Sequence, residues 1–298
     1  MYIHTLSESL RARFGRKVYK LSLSTGCTCP NRDGTVGNRG CIFCDGAGAF
    51  AAAGSIEEQL AAARQRVAFK AGANAGYIAY FQSFTNTYAP AEILRPLFLE
   101  AIKPDDVVAL SIATRPDCLP LDIVELLEEL GRMKPVWVEL GLQTIHSQPA
   151  QWMRRGYELP VFDEAVRKLK SNGAEVVVHQ ILGLPGERVE DMAATARYIG
   201  QCGADGIKFH LLHVLRETDL EAEWRDGRVP AMELEAYIHA LEACIRQLPR
   251  EMVIHRMTGD GAKRDLLAPL WSGDKKRVLQ EINAAFLRDD LEQGSALE

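Results

Sequence analysis

The feature that most constrains this chain is a dense cluster of cysteines in one loop. Four of the seven cysteines lie between Cys27 and Cys44, in a glycine-rich stretch. Thiolates are soft, anionic ligands that favour zinc or an iron–sulfur cluster over magnesium or calcium. A metal site is therefore the first hypothesis for this loop, ahead of ordinary buried cysteines.

Two kinds of metal site are compatible with the spacing. If Cys27, Cys29, Cys41 and Cys44 all bind, the result is a closed tetrahedral site such as structural zinc. If only Cys29, Cys41 and Cys44 bind, in the pattern C-x11-C-x2-C, a [4Fe-4S] cluster would keep one iron without a protein ligand. The single residue between Cys27 and Cys29 would strain ligation of one metal by both. We therefore favour the three-cysteine set without Cys27.

The residues around these cysteines resemble a known family. Cys29-Pro30-Asn31-Arg32-Asp33-Gly34, followed by Cys41-Ile42-Phe43-Cys44, is similar to the cluster loop of radical S-adenosylmethionine (radical SAM) enzymes. It is most similar to the YhcC-like branch, which is close to the radical SAM domain of the elongator catalytic subunit. The resemblance covers roughly Leu21 to Asp260. It implies a cluster loop at 26–46 and an open iron that chelates the amino and carboxylate groups of S-adenosylmethionine.

Strand and helix patterns alternate along most of the chain. Six short β-rich runs separated by helices predict parallel βαβ units in a curved sheet or barrel; the runs are 18–23, 77–82, 107–113, 136–142, 175–182 and 206–212. Helices are predicted from a Ser55 cap to Lys70, and at 91–102, 122–132, 161–171, 189–202, 232–247 and 276–287. With the resemblance, this predicts an α/β fold, a partial (β/α)6 TIM-like barrel of the radical SAM type.

The domain organisation follows from where this alternation stops. Residues 1–214 are predicted to form the radical SAM core barrel, and residues 215–298 a C-terminal extension that closes it. Residues 215–227 read as a closing loop, and 252–256 as a further strand or a barrel-edge segment.

Polar residues follow five of the predicted strands. They are Gln82-Ser83, Thr114 to Asp117, Gln143-Thr144, Gly183 to Glu187, and His210 to His213. In parallel α/β barrels the loops at the C-terminal ends of the strands converge on the site. These five clusters therefore predict a site at that end of the barrel.

The resemblance also implies roles for individual residues near the first half of the barrel. Phe43 matches the aromatic residue that contacts adenine. Gln82 and Ser83 stand in place of the family's Gly-Gly-Glu segment, which receives the methionine amino group. Glu139-Leu140-Gly141-Leu142-Gln143 resembles the fourth-strand motif, whose glutamine holds the ribose. Glu139 and Gln143 are therefore both candidate cofactor-binding residues.

Four more candidates complete the predicted cofactor site. Arg155 matches an arginine that pairs with the methionine carboxylate, although a surface salt bridge is the alternative. His179 stands where some relatives have a ribose-binding aspartate. Thr114 and Asp117 are plausible further ligands, and Asp117 could instead cap the next helix. No catalytic residue is identified.

Several histidines and cysteines have no role in that motif. His210, His213 and His255 point to a substrate cavity or to core positions. Cys118 is next to the predicted site and could be a redox or hydrogen-donor thiol. The remaining cysteines, Cys202 and Cys244, are typical of small core residues.

Composition limits the possible partners. The net charge of −5 provides no global basic field to attract nucleic acid. No apolar secretory segment and no run of roughly 20 apolar residues is present. We therefore expect a cytoplasmic protein without a membrane partner.

The sequence predicts an enzyme that cleaves S-adenosylmethionine at a [4Fe-4S] cluster and abstracts hydrogen from a substrate. Its partners would be an electron donor such as flavodoxin or ferredoxin, and a small-molecule or RNA substrate. Two alternatives stay open. One is a tRNA-modifying radical SAM enzyme, and the other is a non-catalytic module with a structural zinc site made of four cysteines.

Overall fold

The computed structural model describes residues 1–45, 53–259 and 263–297. Residue 46 of the predicted cluster loop, Asp260 and Glu298 lie outside these ranges. Seven parallel strands form one curled sheet, a half-barrel in which neighbours along the chain are neighbours in space. They are β1 (Val18–Leu23), β2 (Gly76–Phe81), β3 (Val107–Thr114), β4 (Val136–Gln143), β5 (Glu175–Leu182), β6 (Gly206–Leu211) and β8 (Val253–Arg256).

A second, two-stranded sheet lies in the C-terminal part. It pairs β7 (Val214–Leu215) antiparallel with β9 (Leu266–Ala268). The helices are α1 (Leu6–Phe14), α2 (Ile56–Val67), α3 (Ala91–Ile102), α4 (Leu121–Gly131), α5 (Ser147–Trp152), α6 (Leu159–Ser171), α7 (Val189–Gln201), α8 (Asp219–Arg225), α9 (Leu234–Arg246) and α10 (Lys275–Arg288). None of the helices in the described ranges is long and apolar enough to cross a membrane.

The predicted partial barrel is confirmed, with one strand added. All six predicted strands form, and the segment at 252–256 supplies the edge strand β8, parallel to β6. The N-cap predicted at Ser55 is present as a capping box with Glu58. The loop expected at 215–227 is wrong in part, because β7 and α8 occupy much of it.

The two faces of the curled sheet differ in polarity. Leu21, Phe81, Leu110 and Val138 belong to the main apolar core that the flanking helices share. Side chains alternate across a strand, so the neighbouring positions of β2, β3 and β4 face the barrel interior. These interior positions carry Tyr80, Ser111, Glu139 and, from the next two strands, His179 and Lys208.

Helix α1 closes the barrel interior at the amino-terminal ends of the strands. Leu10 packs in a small apolar cluster with Ile78, Ala109 and Trp137. Each of these three strand residues lies two positions before an interior polar residue, so the cluster lies directly beneath the polar layer. The interior is therefore sealed below and opens towards the C-terminal ends of the strands.

Candidate active site

A cavity of about 1060 Å³ occupies the open end of the half-barrel. The cysteine loop lines one side, and residues at the ends of β2 to β6 line another. Its walls include apolar side chains such as Phe84, Met153 and Ile181. This is the position predicted from the polar clusters that follow the strands, and it suits a ligand of nucleoside size or larger.

Three of the four loop cysteines line this cavity, namely Cys29, Cys41 and Cys44. Cys27 does not line it and packs instead against the main core. The backbone N–H of Cys27 donates to the Thr25 hydroxyl at 3.3 Å, and burial raises the pKa of its thiol. The structure thus separates Cys27 from the three thiols of the C-x11-C-x2-C pattern.

The loop is held in place by a side chain inside the predicted motif. Asn31 Nδ2 donates to the carbonyl oxygen of Arg154 at 2.6 Å, and it lies 3.6 Å from Cys41 Sγ. The loop also hydrogen-bonds to itself, because Gly40 N donates to the Asn31 carbonyl at 2.7 Å. Asn31 is buried. It therefore ties the loop to the segment after α5 and fixes the direction of one thiol.

The cysteine loop packs closely against Gly156, and this contact is possible only because residue 156 has no side chain. Gly156 has a φ of +81°, and a Cβ on it would lie 2.6 Å from both Asn31 Oδ1 and Val36 Cγ1. A side chain at 156 would push the loop away. The conformation of the cysteine loop therefore depends on a residue more than a hundred positions along the chain.

The donor set fits a [4Fe-4S] cluster. No group of three or more Cys, His, Asp or Glu in the described ranges is arranged to hold a single metal ion. A mononuclear zinc site needs sulfurs that converge on one centre at about 2.3 Å, whereas a cubane takes each thiolate on a different iron. Asn31 and Arg32 place N–H groups 3.6 Å and 3.8 Å from Cys41 and Cys44 Sγ, and such contacts stabilise anionic sulfur. Burial and the neighbouring Cys44 raise the pKa of Cys41 to about 11, so a metal that binds this thiol would have to displace its proton.

The structure brings most of the predicted cofactor residues into the same cavity. Those that line it are Phe43, Gln82, Thr114, Glu139, Gln143, Arg155 and His179. Ser83 and Asp117 do not. Ser83 is buried, and Asp117 accepts two hydrogen bonds from Arg115, at 2.9 and 2.7 Å. Their cofactor roles stay predictions, but their positions do not favour them.

Gln143 has an unusual backbone conformation. Its φ is +71°, which is rare for a residue with a side chain, and the ladder between β4 and β5 is irregular at this point. Its buried Oε1 has no hydrogen-bond partner among the described residues. Strain and an unsatisfied polar atom in a cavity wall are typical of ligand-binding positions.

Arg155 is buried rather than at the surface. Its Nη1 donates to the carbonyl oxygens of Leu142 and Thr144 at 3.1 and 2.7 Å, and its Nε donates to that of Tyr157 at 3.1 Å. The surface salt bridge considered above is therefore wrong. The guanidinium fixes the turn that follows β4 and still lines the cavity.

The deepest part of the cavity is a polar group that we call the cavity floor, formed by Tyr80, Glu139, His179, Lys208, His210 and Arg256. Glu139 is its centre. Glu139 Oε1 accepts from Lys20 Nζ at 2.6 Å and Ser111 Oγ at 2.8 Å. Glu139 Oε2 accepts from Tyr80 Oη at 3.0 Å and from Lys208 Nζ and His179 Nε2, both at 2.8 Å. Five donors saturate this carboxylate, which favours a role in holding the floor together.

The charges on the floor follow from burial and from these neighbours. Burial alone would raise the pKa of Glu139, but Lys20 and Lys208 hold it well below its usual range. Burial lowers the pKa of Lys208 to about 7 against the attraction of Glu139. Burial and Lys208 lower the pKa of His179 to about 4. Glu139 is thus ionised and His179 is neutral at pH 7.

The other predicted histidines and Cys118 divide between the cavity and the core. His210 and His213 line the cavity. His255 does not, and its ring stacks edge-on against Trp137. Cys118 lines a second cavity of about 750 Å³ with Asp117. Burial and Asp117 raise its pKa to about 12, which does not suit a reactive thiol.

The sequence reasoning missed Tyr80, Lys20, Lys208 and Arg256. A signal for Lys208 was present, because a lysine inside the apolar strand Gly206–Leu211 is rare unless it is paired. Its partner, Glu139, lies 69 positions away along the chain. Only the register of the barrel shows that the two meet.

Comparisons with known proteins agree with this geometry. Residues 33–199 match the family model described as Radical SAM superfamily, and residues 204–288 match the one described as Radical_SAM C-terminal domain. YtqA of Bacillus subtilis is 42% identical, over 94% of this chain and 88% of its own length. YhcC of Escherichia coli K12 is 36% identical, over 99% of this chain and 95% of its own.

Two more distant similarities concern part of a longer protein. The solved structure of Methanocaldococcus infernus Elp3 with an N-terminal deletion superposes with a TM-score of 0.71 at 17% identity, over 93% of this chain and 64% of that chain. The tRNA uridine(34) acetyltransferase of Methanocaldococcus jannaschii is 29% identical over 59% of this chain and 32% of its own length. The first supports the fold alone, and the second covers only part of both proteins.

Proposed function

The chain belongs to the radical SAM superfamily, and on that premise we propose that Cys29, Cys41 and Cys44 hold a [4Fe-4S] cluster at which S-adenosylmethionine is reductively cleaved. The observation that carries the proposal is that these three thiols, and not Cys27, face the same cavity as the predicted cofactor residues. The enzyme would abstract hydrogen from a substrate bound deeper in that cavity. We also propose that residues 1–214 form the radical SAM core barrel and residues 215–298 the C-terminal extension.

When bound, the cluster and S-adenosylmethionine supply an electron and a 5′-deoxyadenosyl radical. The chain's own residues bind and orient. Phe43 would contact the adenine, Gln82 would accept from the amino group, and Gln143 Oε1, which has no partner among the described residues, would accept from a ribose hydroxyl. Arg155 would pair with the methionine carboxylate, while its Nη1 and Nε fix the backbone. The apolar part of the wall keeps water away from the reacting atoms.

His179 has one nitrogen left for this task. Its Nε2 lies 2.8 Å from Glu139 Oε2; because the ring is neutral, Nε2 carries the proton and Nδ1 is an acceptor. The tautomer follows from the hydrogen bond to the carboxylate. His179 would therefore accept a hydrogen bond from a ribose hydroxyl, as an aspartate does, but through a neutral nitrogen.

Members of this family generally need a reductant. We propose flavodoxin or ferredoxin for this role, because the cluster must be reduced at low potential before cleavage. Replacing dithionite by each of these proteins with its reductase would test the choice.

The main experiment is anaerobic reconstitution with iron and sulfide, followed by dithionite and S-adenosylmethionine. We expect close to four irons per chain and formation of 5′-deoxyadenosine, measured by mass spectrometry. Protein with one zinc per chain, no iron uptake and no 5′-deoxyadenosine would contradict the proposal and favour the four-cysteine zinc site.

Two matched variants test the choice of ligands. Cys29→Ala should lose the cluster and all 5′-deoxyadenosine formation, because a cubane with two protein thiolates is poorly held. Cys27→Ala should keep both, because Cys27 packs against the core. Equal loss of iron in the two variants would overturn the three-thiol assignment.

RNA is a second candidate substrate. The similarity to a tRNA uridine(34) acetyltransferase is one reason, and Lys263, Arg264 and Lys275 in the cavity wall are another, because lysine and arginine contact phosphates. Comparing tRNA nucleosides by mass spectrometry between a deletion strain and strains complemented with wild type or Cys29→Ala tests it. A modified nucleoside that depends on Cys29 supports RNA, and unchanged nucleosides in all strains reject it.

A further inference from the structure

Among the described residues, the centre of the cavity floor and the neighbouring Lys20 carry more positive than negative charge. Lys20 and Lys208 both contact the single carboxylate of Glu139, at 2.6 and 2.8 Å. Glu139 is 1% exposed and Lys208 is 3% exposed. Counting these three residues with both lysines protonated, one positive charge is left over.

Lys208 is the lysine that can offer this excess positive charge to a ligand. An ammonium group has three N–H donors. Two of them go to Glu139 Oε2 and Tyr80 Oη, both at 2.8 Å, and no described residue accepts the third. Since Lys208 lines the cavity, the third donor is available to a ligand.

The surroundings of Lys208 oppose its charge. Lys20 and Arg256 both act to lower the pKa of Lys208, and Arg256 also lines the cavity. The histidines add no charge, because His179 and His210 are neutral: the pKa of His210 is well below its usual value, owing to burial and to His179. The buried Nε2 of His210 has no hydrogen-bond partner among the described residues. Glu139, Lys20 and Lys208 are therefore unbalanced in charge, and His210 Nε2 lacks a hydrogen-bond partner among the described residues.

We propose that the cavity floor is a substrate subsite that binds a carboxylate group, with Lys208 as its direct partner. A single negative charge would balance the excess on Glu139, Lys20 and Lys208. It would accept the third N–H of Lys208 in a strong, charge-assisted hydrogen bond. A cation would add to the repulsion, and a phosphate dianion would reverse the imbalance.

This inference extends the proposed function. It rests on that function in one respect, which is that the bound carboxylate belongs to the substrate of the proposed reaction. The floor lies at the polar layer directly above the apolar cluster that α1 seals, and one of its members, His179, is also a predicted ribose contact. A substrate anchored there by a carboxylate would present its other end towards the cysteine loop. The carboxylate thus sets the depth at which the substrate lies.

The test uses the cluster-loaded protein, saturated with S-adenosylmethionine and kept without reductant, so that the cofactor's own carboxylate site is filled. Propionate is titrated and its binding is followed by ligand-observed saturation-transfer NMR. Propionamide, which has the same shape without the charge, and inorganic phosphate are the comparison probes.

We expect saturable binding of propionate at pH 6.5 that is at least tenfold tighter than binding of propionamide or phosphate. Lys208→Met, which keeps the aliphatic stem, should weaken propionate at least tenfold. Lys103→Met, at an exposed position after α3, should leave it unchanged.

Three results would overturn the inference. They are equal binding of propionate and propionamide to wild type, tighter binding of phosphate than of propionate, and an unchanged affinity in Lys208→Met. If Lys208→Met does not fold, the affinities of the wild type for propionate, propionamide and phosphate still test whether the floor prefers a carboxylate. Failure of the proposed function would show separately, as absence of 5′-deoxyadenosine after dithionite is added to the same preparation.

Discussion

The substitution Glu139→Gln tests whether one carboxylate holds the barrel interior together. Glutamine keeps the shape of glutamate but removes its charge and replaces one acceptor oxygen with an NH₂ group. Because Glu139 accepts from Lys20, Ser111, Tyr80, Lys208 and His179, either orientation of the amide sets an NH₂ against at least two donors. Both lysines would also lose their counter-charge.

The expected loss of stability is large. Removing one partner of a buried ion pair costs about 3–5 kcal/mol, mostly from the charge that remains uncompensated. The matched control is Glu128→Gln, whose carboxylate pairs with Arg132 at 2.6 Å on the surface of α4. Exposed pairs of this kind contribute at most about 1 kcal/mol.

The assay is equilibrium denaturation in guanidinium chloride at pH 7, on cluster-free protein in strong reductant so that loss of iron does not make unfolding irreversible. The deficit of Glu139→Gln should be larger at pH 5 than at pH 8. Burial holds the pKa of Lys208 at about 7 in the wild type, and without Glu139 it would fall further. Between these two pKa values the folded variant gives up a proton that the wild type keeps, so its stability rises with pH relative to the wild type. Adding Lys208→Met to the variant should likewise recover part of the loss.

A loss below about 1 kcal/mol at pH 7, equal to that of Glu128→Gln, would refute the reasoning. So would a deficit that is the same at pH 5 and pH 8. Either result would mean that water or other groups solvate the two lysines as well as Glu139 does.

Two further predictions concern the loop and the pH dependence of binding. Gly156→Ala should destabilise the protein by about 1–3 kcal/mol and lower iron retention, because its Cβ would meet Asn31 and Val36. The control is Gly173→Ala, at a similar φ of +76° but with nothing within 4 Å of a new Cβ, which should keep the iron. Equal iron loss in the two variants would contradict this prediction. The affinity for propionate should fall as pH rises from 6 to 9, because binding needs protonated Lys208 and its pKa is about 7. An affinity measured by NMR that does not change with pH would show that Lys208 is not the partner.

Much of the fold could be predicted because its signals are local. The strand Glu175–Leu182 is a run of apolar and β-branched residues between helices, and its bounds were read correctly from that pattern. The helix over residues 219–225 was missed, since it has seven residues and its N-cap, Thr218, makes no side-chain capping hydrogen bond. A short helix in a closing segment is stabilised by tertiary contacts that a local pattern does not contain.

In the candidate site, too, residues with a local sequence signal could be predicted, and residues brought together only by the fold could not. Cys41 and Cys44 can be predicted as metal ligands from the sequence, because two intervening residues place both sulfurs on one turn. The partners of Glu139 do not, since they come from β1, β2, β3, β5 and β6, and only the curl of the sheet brings them to one point. The burial of Arg155 was likewise unpredictable, because the carbonyl oxygens that it binds become available only once the turn after β4 has formed.

The hydrogen bond from Asn31 to the carbonyl of Arg154 sets an order of events for maturation of the protein. The thiols reach their final arrangement only after the polypeptide beyond β4 has been synthesised and has docked. A nascent or half-assembled molecule would offer scattered sulfurs with low affinity for iron. If the loop holds a cluster as proposed, iron would therefore load only after the barrel has assembled.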